Sequence, residues 1–363
     1  MFKTGYADVL EKLAYISPKR YGASRNYIDG DVSYLSPYIS RGVISTKYVY
    51  QYLIKEGYNL RQVEKFIQEL AWRDYWQQIW VEKKTEIDND LKHSQPDVQN
   101  DKISESIVNA NIGIDVIDKA IRHLYSDGYM HNHIRMYVAS ISCNQAKSHW
   151  FDSAKWMYYH LLDGDWASNA LSWQWVAGAN SNKKYVANQE NINKYTKTEQ
   201  FNTFLDVSYD ELPLQDIPAA LKAIKKFDWQ TSLPQKETVQ INPALPTLLY
   251  NSYNLDPLWR ADESANRILL LEPSHFKKYP VSDKVIKFIL DLSENIPEMQ
   301  IFVGEFEELE KEITGDCYFK EHPTAEHYRG IEEDRDWMFS VKGYYGSFFS
   351  FWKKCKKEIP FEK

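Results

Sequence analysis

Three cysteines in 363 residues, Cys143, Cys317 and Cys355, are too few and too scattered for a disulfide framework, a zinc site or an iron–sulfur centre. Long apolar runs are missing too: no stretch approaches the roughly 18 residues needed to span a bilayer, so no membrane partner is expected. The opening MFKTGYADVLEKL has neither the apolar core nor the small-residue cleavage site of a secretory signal, which predicts a cytoplasmic location. Positive charge is in deficit, with 44 Lys and Arg against 51 Asp and Glu. A polyanion is therefore repelled on average, and any contact with nucleic acid has to come from a local basic patch. Neither GxGxxG nor GxxxxGK[ST] occurs, so no glycine-rich phosphate loop is indicated, and internal repeats and low-complexity tracts are absent.

What the chain has in excess is indole. Eight of its 12 tryptophans, Trp72, Trp76, Trp80, Trp150, Trp156, Trp166, Trp173 and Trp175, fall in one stretch, which points to one domain with an aromatic interior. Two periodicities divide the sequence. Up to about residue 204 the pattern is helical. Val63, Phe66, Ile67 and Leu70 recur at three-to-four spacing, as do Ile114, Ile117, Ile121 and Leu124 ahead of a stop at Gly128. Further helices are expected from about Asn132 to Ser142 and through Trp173, and no strand is expected in this half. Residues 205–240, with Pro213, Pro218 and Pro234, read as a linker. From 241 to 363 short apolar runs such as PTLLY, RILLL and MQIFV alternate with helical patterns, the grammar of a small α/β domain with a mostly parallel sheet. The fold class expected is mainly α, a helical domain followed by that α/β module.

Several polar residues sit in apolar company. Glu69 and Arg73 share a helical face, which reads either as an i, i+4 ion pair or as a pair engaged by a polar ligand. Asn132 and Arg135 are equally open between satisfied core polars and the recognition of a heterocycle or phosphate. His131 and His133 lie two apart on a helix and point to different sides, so they make a poor metal site, and no metal is expected. Asp163 and Asp165 lack the remaining ligands of a calcium loop and are better placed to start a helix. Asp165, Asn169 and Trp173 then line one face of it.

Five segments in order resemble one family. ELAWRDYW (69–76), GYMHNHIRMYVAS (128–140) and DGDWASNALSWQW (163–175) are similar to signatures of the photolyase and cryptochrome flavoproteins. GIDVIDKAIRHL (113–124) and SYLSPYISRG (33–42) add to the match, which covers about the first 195 residues. The resemblance implies an all-helical domain that holds FAD in a folded conformation. It places Tyr21, Ser33, Leu35 and Ser36 at the diphosphate and ribitol, and Phe66, Arg73, Asn132 and Arg135 around the flavin. Asp163 and Asp165 fall at the adenosine side and the flavin imide edge, and Asn169 at flavin N5, where photolyases carry Asn.

The same resemblance implies that Glu69, Trp72, Met136 and Trp175 hold a flipped-out cyclobutane pyrimidine dimer. The (6-4) photolyases, with His at the positions of Asn132 and Met136, are less similar. Trp173 and Trp150 match the inner and middle members of an electron-carrying tryptophan series, while Asn100 stands near the place of the outer one. Trp156, Tyr158, Trp80 and Trp76 are possible substitutes for it. Two functions follow: light-driven repair of ultraviolet-damaged DNA, or a cryptochrome-like photoreceptor or redox flavoprotein that signals to a partner protein. Lys183, Lys184 and Lys194 are either phosphate contacts or a solvated basic loop. The family's α/β antenna domain normally precedes the helical one. The C-terminal module is thus either a permuted antenna-like domain or an unrelated one, and an antenna chromophore is left open.

Overall fold

A computed structural model describes residues 2–361. By internal contacts the chain divides into two units: one of Met1–Lys19, Ser33–Glu82 and Gln230–Lys363, the other of Arg20–Val32 and Lys83–Trp229. The sequence grammar suggests contiguous domains with breaks near 204 and 240. Contact density instead groups two N-terminal stretches with the C-terminal module.

The regular structure of the second unit is nearly all helical. Its helices are Asp115–Asp127, Asn132–Ser140, Trp150–His160, Trp166–Ala177 and Gln189–Thr196, with shorter turns between them. Asp115–Asp127 ends at Gly128, as its sequence predicts. There φ is +68°, and a Cβ would lie 2.6 Å from Leu162 Cγ, so only glycine fits both the left-handed turn and the space. The expected helix to Ser142 gives way after Ser140 to a π-turn at Ile141–Gln145. Trp166–Ala177 is buried on most sides. Its small Ala167 and Ala170 permit close approach, and fully buried Gln174 donates to Ile87 O at 2.8 Å and accepts from Leu91 N at 3.0 Å. That amide satisfies two backbone groups of an irregular segment that would otherwise be costly to bury.

One expectation is corrected in this unit. A two-residue strand, β1 (Ile103–Ser104), pairs antiparallel with β2 (Ile224–Lys225). A strand this short carries no periodic signal, and its partner lies 120 residues away in the sequence segment read as linker.

In the first unit five described strands form a parallel sheet: β3 (Thr247–Tyr250), β4 (Asn266–Leu271), β5 (Met299–Val303), β6 (Cys317–Lys320) and β7 (Ile331–Glu333). Their order is β5-β4-β3-β6-β7. β3 and β4 are buried along their whole length, which explains why both read as continuous apolar runs rather than alternating ones. Helix Asp283–Ser293 supplies Val285, Ile286, Ile289 and Leu292 as its buried stripe.

The N-terminal helices of this unit pack on the sheet layer. Tyr38 of Ser36–Ser40 lies 6.2 Å from the Phe288 ring, and the buried Arg41 guanidinium sits 5.8 Å over Tyr253. In helix Glu64–Lys83, Trp80 meets His322 edge-on at 5.1 Å. Asp74 accepts from Thr46 Oγ1 at 2.8 Å and from Met338 N at 2.9 Å. Burial pushes its carboxyl above the ordinary range, and the two donors and nearby arginines oppose that shift. Among the described residues, no helix is long and apolar enough to cross a membrane.

Candidate functional site

The residues singled out above fall into both units. In the helical unit the centre is the pair Arg135–Asp163. Arg135 Nη2 donates to both Asp163 oxygens at 3.0 and 2.9 Å, while its Nε donates to Met130 O at 2.8 Å. The Asp163 side chain is 4% exposed and that of Arg135 20%. A carboxylate so deeply buried needs this charge-assisted partner, so the two aspartates have separate tasks. Asp163 pairs with the arginine. Asp165 starts the helix, its Oδ1 accepting from Ser168 N at 2.6 Å.

Asn169, one turn on, donates from Nδ2 to Ala154 O at 2.8 Å, which fixes the amide's orientation. Trp173 is buried, whereas Trp175 is 38% exposed and stacks against Tyr185 with centroids 5.8 Å apart. Asn132 is the exposed first residue of its helix, and Tyr21 and Met136 are half-buried. The two histidines are held apart: His131 Nδ1 accepts from His133 N at 3.2 Å, and His133 Nδ1 lies 2.9 Å from Asn26 O. Burial lowers both; the His131 imidazole falls to about 4. Among the described residues, no group of three or more His, Cys, Asp or Glu is placed to hold a metal ion.

Trp150 is fully buried, with Nε1 donating to Asp90 Oδ1 at 2.7 Å. The same oxygen lies 3.1 Å from His149 Nε2. Asn100 forms a backbone bridge with Ser148 and donates from Nδ2 to Ala146 O at 3.4 Å, so it supports the turn leading to Trp150 without offering a ring. Of the basic residues, Lys184 is taken up by Asp97 at 2.6 Å, and Lys194 lies 5.4 Å over Tyr195.

In the mixed unit, Ser33 Oγ accepts from Leu35 N at 3.4 Å, Leu35 is buried, and Ser36 opens a five-residue helix. Phe66 is buried on the helix that also carries Glu69, Trp72 and Arg73. Glu69 pairs with Lys65 in the preceding turn, Nζ to Oε1 2.9 Å, and Arg73 Nη1 donates to Ser40 Oγ at 2.7 Å. Trp72 is half-buried and lies parallel to Phe348, centroids 3.7 Å apart and planes 9° from coplanar.

Partners such as Ser40, Lys65, Asp90 and Phe348 were not legible in advance. Each is distant in sequence or one of many similar residues. Only the aromatic run FFSFW offered a signal for Phe348.

Residues 66–238 match the family model described as the FAD binding domain of DNA photolyase. Among curated relatives, the deoxyribodipyrimidine photo-lyase of Alkalihalophilus pseudofirmus is 29% identical over 187 residues, 48% of this chain and 38% of that protein. The deoxyribodipyrimidine photo-lyase of Streptomyces griseus is 30% identical over 167 residues, 45% and 36% respectively. The match thus spans well under half the length of these relatives. A solved Synechocystis cryptochrome aligns with TM-score 0.47 and 23% identity, covering 53% of this chain and 44% of that one. A class III photolyase from Agrobacterium tumefaciens aligns with TM-score 0.44 and 20% identity over 58% and 54%.

Proposed function

We propose that the protein repairs cyclobutane pyrimidine dimers in DNA in a light-driven, FAD-dependent reaction. The observation that carries this reading is the set of oriented polar groups on the tryptophan-rich helix. Asp165 and Asn169 are held in place by Ser168 N and Ala154 O, while the buried Ser168 hydroxyl between them has no protein partner. An orphaned hydroxyl beside two oriented polar side chains fits the binding of a polar heterocycle. In the helical unit Tyr21, Asn132, Arg135, Asp163, Asp165 and Asn169 would hold the cofactor. Bound FAD supplies, when reduced and excited by light, the electron that opens the dimer's cyclobutane ring.

In the mixed unit Glu69 and Trp72 contact the damaged base, with the indole as an apolar wall and the carboxyl on the imide edge. Trp72 is only partly buried, which leaves ring surface for that contact. Trp173 and Trp150 carry electrons inward. The Asp90 carboxylate against the Trp150 N–H stabilises positive charge left on that indole. The C-terminal module is an antenna-like domain, a reading supported by its parallel five-stranded sheet.

The test is light-dependent loss of dimers from ultraviolet-irradiated single- and double-stranded DNA by the purified, photoreduced protein. No loss with reduced FAD bound would sink the proposal. Trp173→Phe is expected to slow photoreduction by about tenfold or more, a barrier change of about 1.4 kcal/mol. Asp90→Asn should slow it less, because the hydrogen bond survives and only the charge is lost. Flash absorption measurements read both. Unchanged kinetics in Trp173→Phe would remove that residue from the electron route. A second reading, a photoreceptor acting through a protein partner, is favoured by Asn100, which offers no ring where an outer tryptophan is expected.

A further inference from the structure

Trp72 is not supported by its own helix alone. One face lies parallel on Phe348, 276 positions later in the chain, and Tyr75 and Trp76 approach its edge and side at 5.7 and 5.2 Å. The stack continues: the Phe348 plane is 11° from that of Trp352, one turn along helix Phe348–Cys355, at 6.2 Å. Trp352 in turn meets Phe339 edge-on at 6.3 Å, and Phe339 lies 5.4 Å from Tyr50. Phe348, Trp352, Phe339 and Tyr50 are all buried, whereas Trp72 is not fully so. Three near-parallel rings therefore run from the core outward and end at the one with exposed surface. The segment leading into helix Phe348–Cys355 is tied to the Trp72 helix, since Tyr75 Oη donates to Tyr345 O at 3.0 Å and Gly343 N donates to Gln78 Oε1 at 2.9 Å.

We propose that Phe348 is a positioning residue for substrate binding: it sets the plane of the Trp72 indole so that a flipped base can extend the stack. This rests on the reading of Trp72 as a wall of the dimer site. A planar support matters because stacking is directional. An aliphatic residue of similar volume fills the space but leaves the indole free to tilt. Base–aromatic stacking is sequence-tolerant, so the effect falls on the unstacked, damaged base and not on contacts to undamaged duplex.

The experiment compares full-length Phe348→Leu, Phe348→Tyr and Trp72→Leu with the unaltered protein, each reconstituted with FAD. Affinity is read by anisotropy with an oligonucleotide containing one thymine dimer and with its undamaged counterpart, and repair is followed under saturating substrate. Phe348→Leu should weaken dimer binding about tenfold. Its affinity for undamaged DNA and its repair rate at saturation should stay close to the original. Phe348→Tyr, which restores the plane, should recover most of the loss, and the double variant with Trp72→Leu should be no worse than Trp72→Leu alone. The near-ultraviolet circular dichroism of the stacked indole should change in Phe348→Leu and return in Phe348→Tyr. If Trp72→Leu loses dimer binding while Phe348→Leu keeps it, the positioning role is overturned and the dimer site stands. If Trp72→Leu binds dimers normally, or the unaltered protein binds none, the dimer site itself is overturned and the positioning role with it.

Discussion

Asp163→Ala is expected to lower the unfolding free energy by about 3–5 kcal/mol, the usual cost of removing one partner of a buried ion pair. The cost arises from burial. With the Asp163 side chain 4% exposed and both its oxygens bound to Arg135 Nη2, truncation leaves a guanidinium whose Nε is still fastened to Met130 O. It cannot readily swing out to water, so its charge stays largely uncompensated. Asp163→Asn should cost less, because one oxygen still accepts from Arg135 while the charge attraction is lost. The purified alanine variant should also carry less FAD than the unaltered protein, as judged from its flavin absorption. Denaturant unfolding followed by far-ultraviolet circular dichroism checks the first expectation. A loss below about 1 kcal/mol, the range of exposed pairs, would show that the pair contributes little.

The second large effect is a pH dependence. His131 is 8% exposed, and burial lowers its imidazole from 6.5 to about 4. A base whose pKa is depressed by folding binds fewer protons in the folded than in the unfolded chain between those two values. The stability it contributes is therefore complete above about 6.5 and is lost as pH falls toward about 4. The full loss is about 3 kcal/mol, from roughly 1.4 kcal/mol per pKa unit. Protonation also removes the Nδ1 lone pair that accepts from His133 N at the start of helix Asn132–Ser140.

His131→Asn keeps an acceptor suited to that capping position and does not titrate. Stability of the unaltered protein relative to this variant should therefore drop by about 3 kcal/mol over the window. Other titrating groups are common to both chains and cancel. Burial raises the Asp256 carboxyl to about 6, which acts in the opposite direction as pH falls, so the comparison with the variant isolates His131 where the unaltered protein alone does not. A difference that stays constant with pH would mean that His131 titrates alike in the folded and unfolded states.

Much of the local structure was legible because its causes are local. The stop at Gly128 is a short-range backbone effect, and it falls where the residues indicate. The apolar runs of β3 and β4 announced strands buried on both faces. The aspartates were readable as residues that need partners, but their division of labour was not. Spacing puts Asp163 and Asp165 together near a helix start, yet only Asp165 caps it, since Arg135 approaches Asp163 from another helix. Likewise i, i+4 spacing links Glu69 equally well to Lys65 and Arg73. The choice of Lys65 goes with a third residue, Ser40, which receives the Arg73 guanidinium.

By itself the sequence determined the helical periodicities, the apolar strand runs after residue 240 and the ordered motifs that resemble those of photolyases. These follow from residue periodicity and from ordered motifs, which need no knowledge of distant contacts. The tertiary structure alone decided that the first helices join the C-terminal sheet in one unit, and that Trp72 stacks on Phe348. Such contacts join residues hundreds of positions apart. Which rings meet depends on the packing of whole elements, and hydrophobic burial is non-directional until shape and planarity choose among the available partners.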